Sequence, residues 1–245
     1  MFTYDAAITD RYPDLRGGVI HATGLVSGES SPALLDAYRA EQRAALARLA
    51  TTPIAEIPSI AAWRRVFTSF GARPTQHRNA AESLLRRLDK QGDIPSINTL
   101  VDLGNLVAIR YALPVAVLDL DRIDGTTTVR FATGDEPFTD LGADEPTYPE
   151  PGEVVFVDRS NVASARRWCW RQSAQSATGP TTTAALITVE GHHETASQDV
   201  RAALADLVAL LAAYQPAATG EAFELSADDP RAEPGRGADL AGARG

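Results

Sequence analysis

The chain of 245 residues has one cysteine, Cys169, one lysine, Lys90, and one methionine, at position 1. A single thiol excludes an intrachain disulfide and any multi-cysteine metal site. No apolar run approaches the roughly 18 residues that a membrane span requires. The opening "MFTYDAAITDRYPD" lacks the basic n-region and apolar h-region of a signal peptide. A cytoplasmic location is therefore the expectation, with no membrane partner. The motifs of common chemistries are missing too: no H-E-x-x-H, no G-x-S-x-G, no P-loop and no G-x-G-x-x-G. The four histidines (His21, His77, His192, His193) have no ligand spacing around them, so neither a metal nor another cofactor is expected. Cys169 stands between Arg167 and Arg171, which favours a thiolate. It also stands between Trp168 and Trp170, which suits a small buried hydrophobe.

Charge is unevenly spread. The formal net charge of −9 is concentrated in two segments. Gly134 to Glu153 has seven acids and no base, and the tail from Thr219 sums to −3, so the rest of the chain is at +1. Within that remainder, Arg64 to Lys90 holds seven bases against Glu82 and Asp89. Such a run fits either a phosphate-binding patch or an ordinary solvated surface.

Periodicity divides the chain. Gly18 to Val26 reads as an early strand, and Gly17-Gly18 as a turn. "SSPALLDAYRAEQRAALARLA" begins a helix capped by Ser31 with Pro32 at its first position. A shorter helical pattern spans Ile60 to Phe70, and Asn79-Ala-Ala-Glu82 opens a helix ending near Gly92. A further helix over Ile97 to Tyr111 is stopped by Pro114. Beyond it lie short runs rich in Val, Thr and aromatics: "VAVLDLD", "TTVRFAT", "EVVFVD", "RRWCWRQ" and "TAALITVE". Asp124-Gly125 between the first two signals a hairpin. The acidic segment reads as a long surface loop. Ser197 to Tyr214 is an amphipathic helix, and residues 216–245, rich in Ala, Gly, Pro and acids, read as a disordered tail. The expected fold class is α+β, with helices leading into an antiparallel or mixed sheet and a closing C-terminal helix. Residues 1–215 would form one domain.

Two polar constellations interrupt these apolar elements. Asn98, Asp102 and Asn105 fall at i, i+4 and i+7 of the helix over Ile97 to Tyr111, a narrow seam between apolar flanks. It either lines a pocket or fixes the helix to the following strand. In "RRWCWRQ", strand alternation puts Arg167, Cys169 and Arg171 on one face and Arg166, Trp168, Trp170 and Gln172 on the other. Arginine and indole together suit an anionic, partly aromatic ligand. Alternatively the tryptophans fill core and the arginines pair with Asp158 or Asp119.

The stretches "PSINTLVDLGN", "LPVAVLDLD", "VRFATGDEPFTDLG", "PGEVVFVD" and "RRWCWRQS" resemble the B3/4 domain, the aminoacyl-tRNA editing domain of the phenylalanyl-tRNA synthetase β-subunit. The resemblance covers roughly residues 60–191, and the W-x-W-R run is similar to the free-standing branch of the family. It implies a trans-editing deacylase that hydrolyses mischarged aminoacyl-tRNA with a positioned water, needing no metal and no protein nucleophile. The implied partner is the acceptor end of tRNA, not DNA. Asn98, Asp102, Asn105 and Asp119 match family positions, while Arg167, Trp168, Trp170 and Arg171 replace a glycine-rich strand of the synthetase domain; the expected catalytic residues are Asn98, Asp102, Arg171 and Thr182. Asn105, Asp119, Arg167, Trp168, Trp170, Thr181 and Thr183 would line the pocket, and Arg64, Arg65, Arg73, Arg78 and Arg86 would hold the tRNA. Ala116 stands where the synthetase domain has a histidine. A non-catalytic module of the same fold, binding an amino acid, an aminoacyl adduct or RNA, is the alternative.

Overall fold

Helix signals in the sequence are met by physical caps. The computed structural model describes residues 1–240. It begins with strand β1 (Phe2–Tyr4), a short helix α1 (Ala6–Arg11) and strand β2 (Arg16–Thr23). Four helices follow: α2 (Pro32–Leu49), α3 (Pro58–Ser69), α4 (Ala80–Gln91) and α5 (Thr99–Tyr111). Ser31 and Asn79 cap α2 and α4 by accepting from Leu34 and Glu82 amides, and Gly92 ends α4 in a left-handed conformation. Then come β3 (Val115–Asp119), β4 (Thr127–Phe131), β5 (Val154–Val157), β6 (Ala163–Arg166), β7 (Arg171–Gln172) and β8 (Ala184–Gly191). Helix α6 (Ala196–Tyr214) precedes β9 (Thr219–Ser226), β10 (Arg231–Ala232) and β11 (Ala238–Asp239). The class is α+β.

The strands form two sheets. One has the order β10-β1-β4-β5-β6-β7, and the other β11-β9-β2-β8-β3. The second sheet is the middle layer, because alternate residues of its strands serve two cores. Ile20, Ala22, Val117, Ile187 and Val189 pack with Leu34, Leu103, Val107, Leu204 and Leu207 of the helices. Val19, Leu118, Leu186, Phe223 and Leu225 face the other sheet, where they meet Phe2, Val129, Val154 and Phe156. Period-two alternation therefore sorts one set of side chains toward the helices and the other into the inter-sheet space.

Four expectations are corrected here. Residues 216–240 are not a disordered tail: β9 lies between β2 and β11, paired along its whole length with β2 from Arg16↔Ser226 to Thr23↔Thr219. The cause is the alternation in "AFELS", which buries Phe223 and Leu225 despite the acidic composition. Residues 241–245 of that expected tail lie outside the described residues. Asp124-Gly125 does not join a hairpin, because a single 3-10 turn at Leu120–Arg122 carries the chain from one sheet to the other. The "RRWCWRQ" run is no single strand. Arg167 and Trp168 both take left-handed backbone conformations (φ 44° and 61°), so β6 turns back on itself as β7 and the expected alternation of faces is lost. Gly17 and Gly18 sit inside β2 rather than in a turn.

Candidate functional site

The hairpin between β6 and β7 closes one side of a double cavity. Its outer chamber, about 370 Å³, lies between α4, α5 and β3, with Ser83, Arg87, Asn105, Val117, Trp170 and Gln172 in its wall. The inner chamber, about 70 Å³, runs between the two sheets, where Ala116, Phe156, Trp168, Cys169, Thr188 and Glu190 surround it. Ala80, Val115, Trp170 and Gln172 border both, so the chambers adjoin.

Glu190 is the chemical centre of the inner chamber. On β8 it shares a face with Leu186 and Thr188, which points its side chain into the inter-sheet core, where it is 2% exposed. Its Oε1 accepts from the Tyr4 hydroxyl at 2.8 Å and the Trp168 indole N–H at 3.0 Å. Burial pushes its carboxyl up to about 7, and the Trp168 and Tyr4 hydrogen bonds only partly offset that. Trp168 is itself fully buried against Trp63, Tyr12 and His192, all in edge-on contacts. Two consecutive non-glycine residues in the left-handed region cost roughly 1–2 kcal/mol each. The indole's burial and its bond to Glu190 hold that strained turn in place. Cys169, beside it, has its thiol pushed well up by burial and by the nearby Glu190 charge, so it is a poor nucleophile.

The polar seam of α5 resolves into three separate jobs. Asn98 caps the helix by accepting from the Val101 amide at 2.9 Å, and its Nδ2 reaches Thr178 Oγ1 at 3.3 Å. Asp102, fully buried, accepts from Ser30 Oγ at 2.6 Å, the Ile97 amide at 3.0 Å and Ser96 Oγ. It ties the loop before α2 to the start of α5 and lines neither chamber. Asn105, one turn on, lies beside the Tyr38 hydroxyl and lines the outer chamber.

The structure separates the other residues expected to form the pocket. Asp119 is buried and accepts from Thr182 Oγ1 at 2.6 Å and the Asp121 amide at 3.0 Å, while Thr183 Oγ1 donates to Asp121. None of Thr181, Thr182, Thr183 or Asp119 lines either chamber. The arginines of the hairpin pair with neither Asp158 nor Asp119. Arg166 and Arg167 converge on buried Glu153 at 3.0 and 2.8 Å, and Arg171 at the rim binds Asp140 at 2.8 Å. Arg167 and Arg171 also lie over the Trp170 ring, at 4.7 and 4.5 Å from its centroid. The acidic segment is thus folded onto the hairpin and neutralises it.

The basic run, by contrast, is brought together. Arg64 from α3, Arg78 before α4 and Arg86 on α4 all surround the fully buried Glu82, at 3.3, 3.9 and 2.8 Å. Three cations on one anion leave a local excess of positive charge. Arg65 is exposed next to them and lines an open groove with Arg64, Thr68 and Thr75, while Arg73 is exposed in the adjoining loop. Arg87, one residue past Arg86 on α4, turns with Ser83 toward the outer chamber, as i, i+4 spacing requires. It has no carboxylate within ion-pair reach among the described residues.

A family model described as the B3/4 domain matches residues 62–214. The chain belongs to the B3/4 domain family. Its curated relatives include the phenylalanine–tRNA ligase β subunits of Photorhabdus laumondii (31% identical over 86 residues, 35% of this chain and 11% of that one) and Mycoplasma genitalium (37% over 70 residues, 28% and 8%). This B3/4 protein thus aligns with about a tenth of the length of the curated relatives it matches. Among solved structures, an N-terminal fragment of the phenylalanyl-tRNA synthetase β-subunit from Pyrococcus horikoshii superposes with a TM-score of 0.45 at 12% identity, covering 92% of this chain and 53% of that one. No group of three or more His, Cys, Asp or Glu able to hold a metal ion occurs among the described residues of the B3/4 protein, and no described helix is long and apolar enough to cross a membrane.

Sequence reasoning missed Glu190, Arg87 and Tyr4. For Glu190 a signal was there: in "TAALITVEG" it is the one charged residue of a strand apolar on both faces. For Tyr4 there was none, since its role depends on a strand pairing that no local pattern announces.

Proposed function

We propose that this B3/4 protein takes the aminoacylated 3′ end of tRNA into the double cavity and hydrolyses the ester of a wrongly attached amino acid. The observation that carries the reading is the gradient along one opening. A positive surface around Glu82 leads to Arg87 at the mouth, which has no ion pair among the described residues, then to amides of Asn105 and Gln172, then to an inner chamber that holds one carboxyl group. A phosphate backbone, a ribose ester and an amino-acid side chain present that same order of chemistry.

In this reading the arginines around Glu82, with Arg65 and Arg73, attract the acceptor stem, and Arg87 meets the terminal phosphate. Asn105 and Gln172 orient the ribose and ester. The amino-acid side chain enters the inner chamber, where Glu190 meets a hydrogen-bond donor on it. Water adds to the ester carbonyl, the tetrahedral intermediate expels the ribose oxygen, which takes up the proton released by the water, and free amino acid and deacylated tRNA depart. Asn98, Asp102, Asp119, Arg167, Arg171, Thr181, Thr182 and Thr183 act by holding walls of the site in register rather than by touching the ester. Ala116, in the wall of the inner chamber, leaves space that an imidazole would fill.

The test is deacylation of a panel of labelled aminoacyl-tRNAs, cognate and mischarged, by the purified protein in the presence of EDTA. Selective loss of one or a few mischarged species is expected. A flat panel accompanied by saturable, salt-sensitive tRNA binding would replace the editing reading with that of a non-catalytic binding module.

A further inference from the structure

Glu190 needs its carboxylate held in one orientation; of its two donors Trp168 lies within the family-matched span of residues 62–214, while Tyr4 comes from outside it. Across the sheet, Glu190 pairs directly with Gly17 of β2. A Cβ at position 17 would come within 2.3 Å of the Tyr4 hydroxyl oxygen, so the missing side chain is the slot through which the phenol passes. Tyr4 is fixed in turn at both ends. Its backbone lies in β1 between β4 and β10, its amide donates to Pro230, and its ring meets Phe2 edge-on at 5.1 Å. Its hydroxyl and the Trp168 indole both bind Oε1, which leaves Oε2 as the oxygen available to the chamber that Glu190 lines.

We infer that Tyr4 is a positioning residue for Glu190: reaching through the Gly17 slot, its hydroxyl anchors Oε1 and so presents Oε2 to whatever group enters the inner chamber. The N-terminal strands are then part of the site and not an appendage to it. The inference rests on reading the chamber as the ligand site, but its geometry can be tested without any substrate. The other titratable or charged groups near Glu190 are Cys169 and Arg171 on the chamber wall and, across Trp168, Tyr12 and His192, the latter pushed down to about 3 by burial.

Because the Trp168 indole touches the carboxylate, tryptophan fluorescence between pH 5 and 9 reads its ionisation, with Glu190→Gln as the baseline that lacks it. Tyr4→Phe removes only the donor. It should raise the Glu190 midpoint from about 7 by about one unit, a tenfold gain in proton affinity, since a hydrogen bond to the charged form is lost. Gly17→Ala should do the same by evicting the phenol, and the double variant should add nothing further. In the deacylation assay, Tyr4→Phe should reduce kcat more than it raises KM. A Tyr4→Phe midpoint within about 0.3 units of the parent overturns the inference. So does a Gly17→Ala protein that folds and titrates like the parent. A flat deacylation panel with the shifted midpoint intact would refute the editing reading and leave the positioning role standing.

Discussion

Replacing Glu190 with Gln should leave the protein nearly unchanged below pH 4.5 and stabilise it increasingly as pH rises toward 7 and beyond. Gln keeps the oxygen that accepts from Tyr4 and Trp168 but carries no charge into the inter-sheet core. In the parent the Glu190 carboxyl is raised from 4.5 to about 7, chiefly by burial. The native state therefore holds a proton that the unfolded chain releases between those pH values. The associated stability is fully present below pH 4.5 and is lost as pH rises through 7. Over about 2.5 pH units, at about 1.4 kcal/mol each, the loss comes to about 3 kcal/mol. His192 works in the opposite sense: buried neutral, it contributes stability above its unfolded value of 6.5 that is lost as pH falls toward about 3. That contribution is common to both proteins and cancels in their difference. Urea unfolding followed by tryptophan emission at half-unit steps from pH 4.5 to 8.5 gives the difference directly. The Gln variant should gain about 3 kcal/mol across the range, a midpoint displaced by roughly 1 M urea or more at the alkaline end. Parallel curves would mean that Glu190 is not the buried, proton-holding group described.

Other outcomes follow from the same geometry. Asp102→Ala strands three donors that now share its carboxylate, and should lower stability by about 3 kcal/mol with a correspondingly lower urea midpoint. Arg87→Ala should raise KM for aminoacyl-tRNA about tenfold, roughly 1.4 kcal/mol, while thermal unfolding stays unchanged because the exposed side chain has no ion-pair partner to lose among the described residues. Cys169 is partly buried, with its thiol pushed well up by desolvation and the nearby Glu190, so it should react with iodoacetamide more slowly in the native protein at pH 8 than in urea; native alkylation as fast as in urea would contradict that environment.

Local chemistry made the helices legible. Ser31, Asn79 and Gly92 are caps that read the same in sequence and in space. The seam on α5 was visible as a departure from apolar periodicity, although spacing alone could not tell a cap from a brace or a cavity wall. What stayed hidden depends on long-range pairing or unusual backbone. The turn at Arg167 and Trp168 adopts left-handed angles that neither residue type advertises, so a strand reading was natural and the faces came out wrong. Strand β9 was masked by composition, because two buried residues, Phe223 and Leu225, sit among acids, Gly and Ala. The pairing of the hairpin arginines with Glu153 and Asp140 required knowing how the acidic segment folds back.

The placement of β9 has a consequence for how the protein is made. Arg16 of β2 is registered against Ser226, and Tyr4 is tied to Pro230, so the two ends of the described chain meet only across more than two hundred residues of intervening sequence. Closing so long a loop is slow and comes late, because its entropy is spent before the contacts repay it. During synthesis the helices and the β3–β8 pair can assemble while β2 still has one open edge. Pro230, which accepts from the Tyr4 amide, is synthesised after every element that lines the two chambers. A nascent chain would therefore carry the walls of both chambers before either sheet has gained its last strands, β10 beside β1 and β9 beside β2.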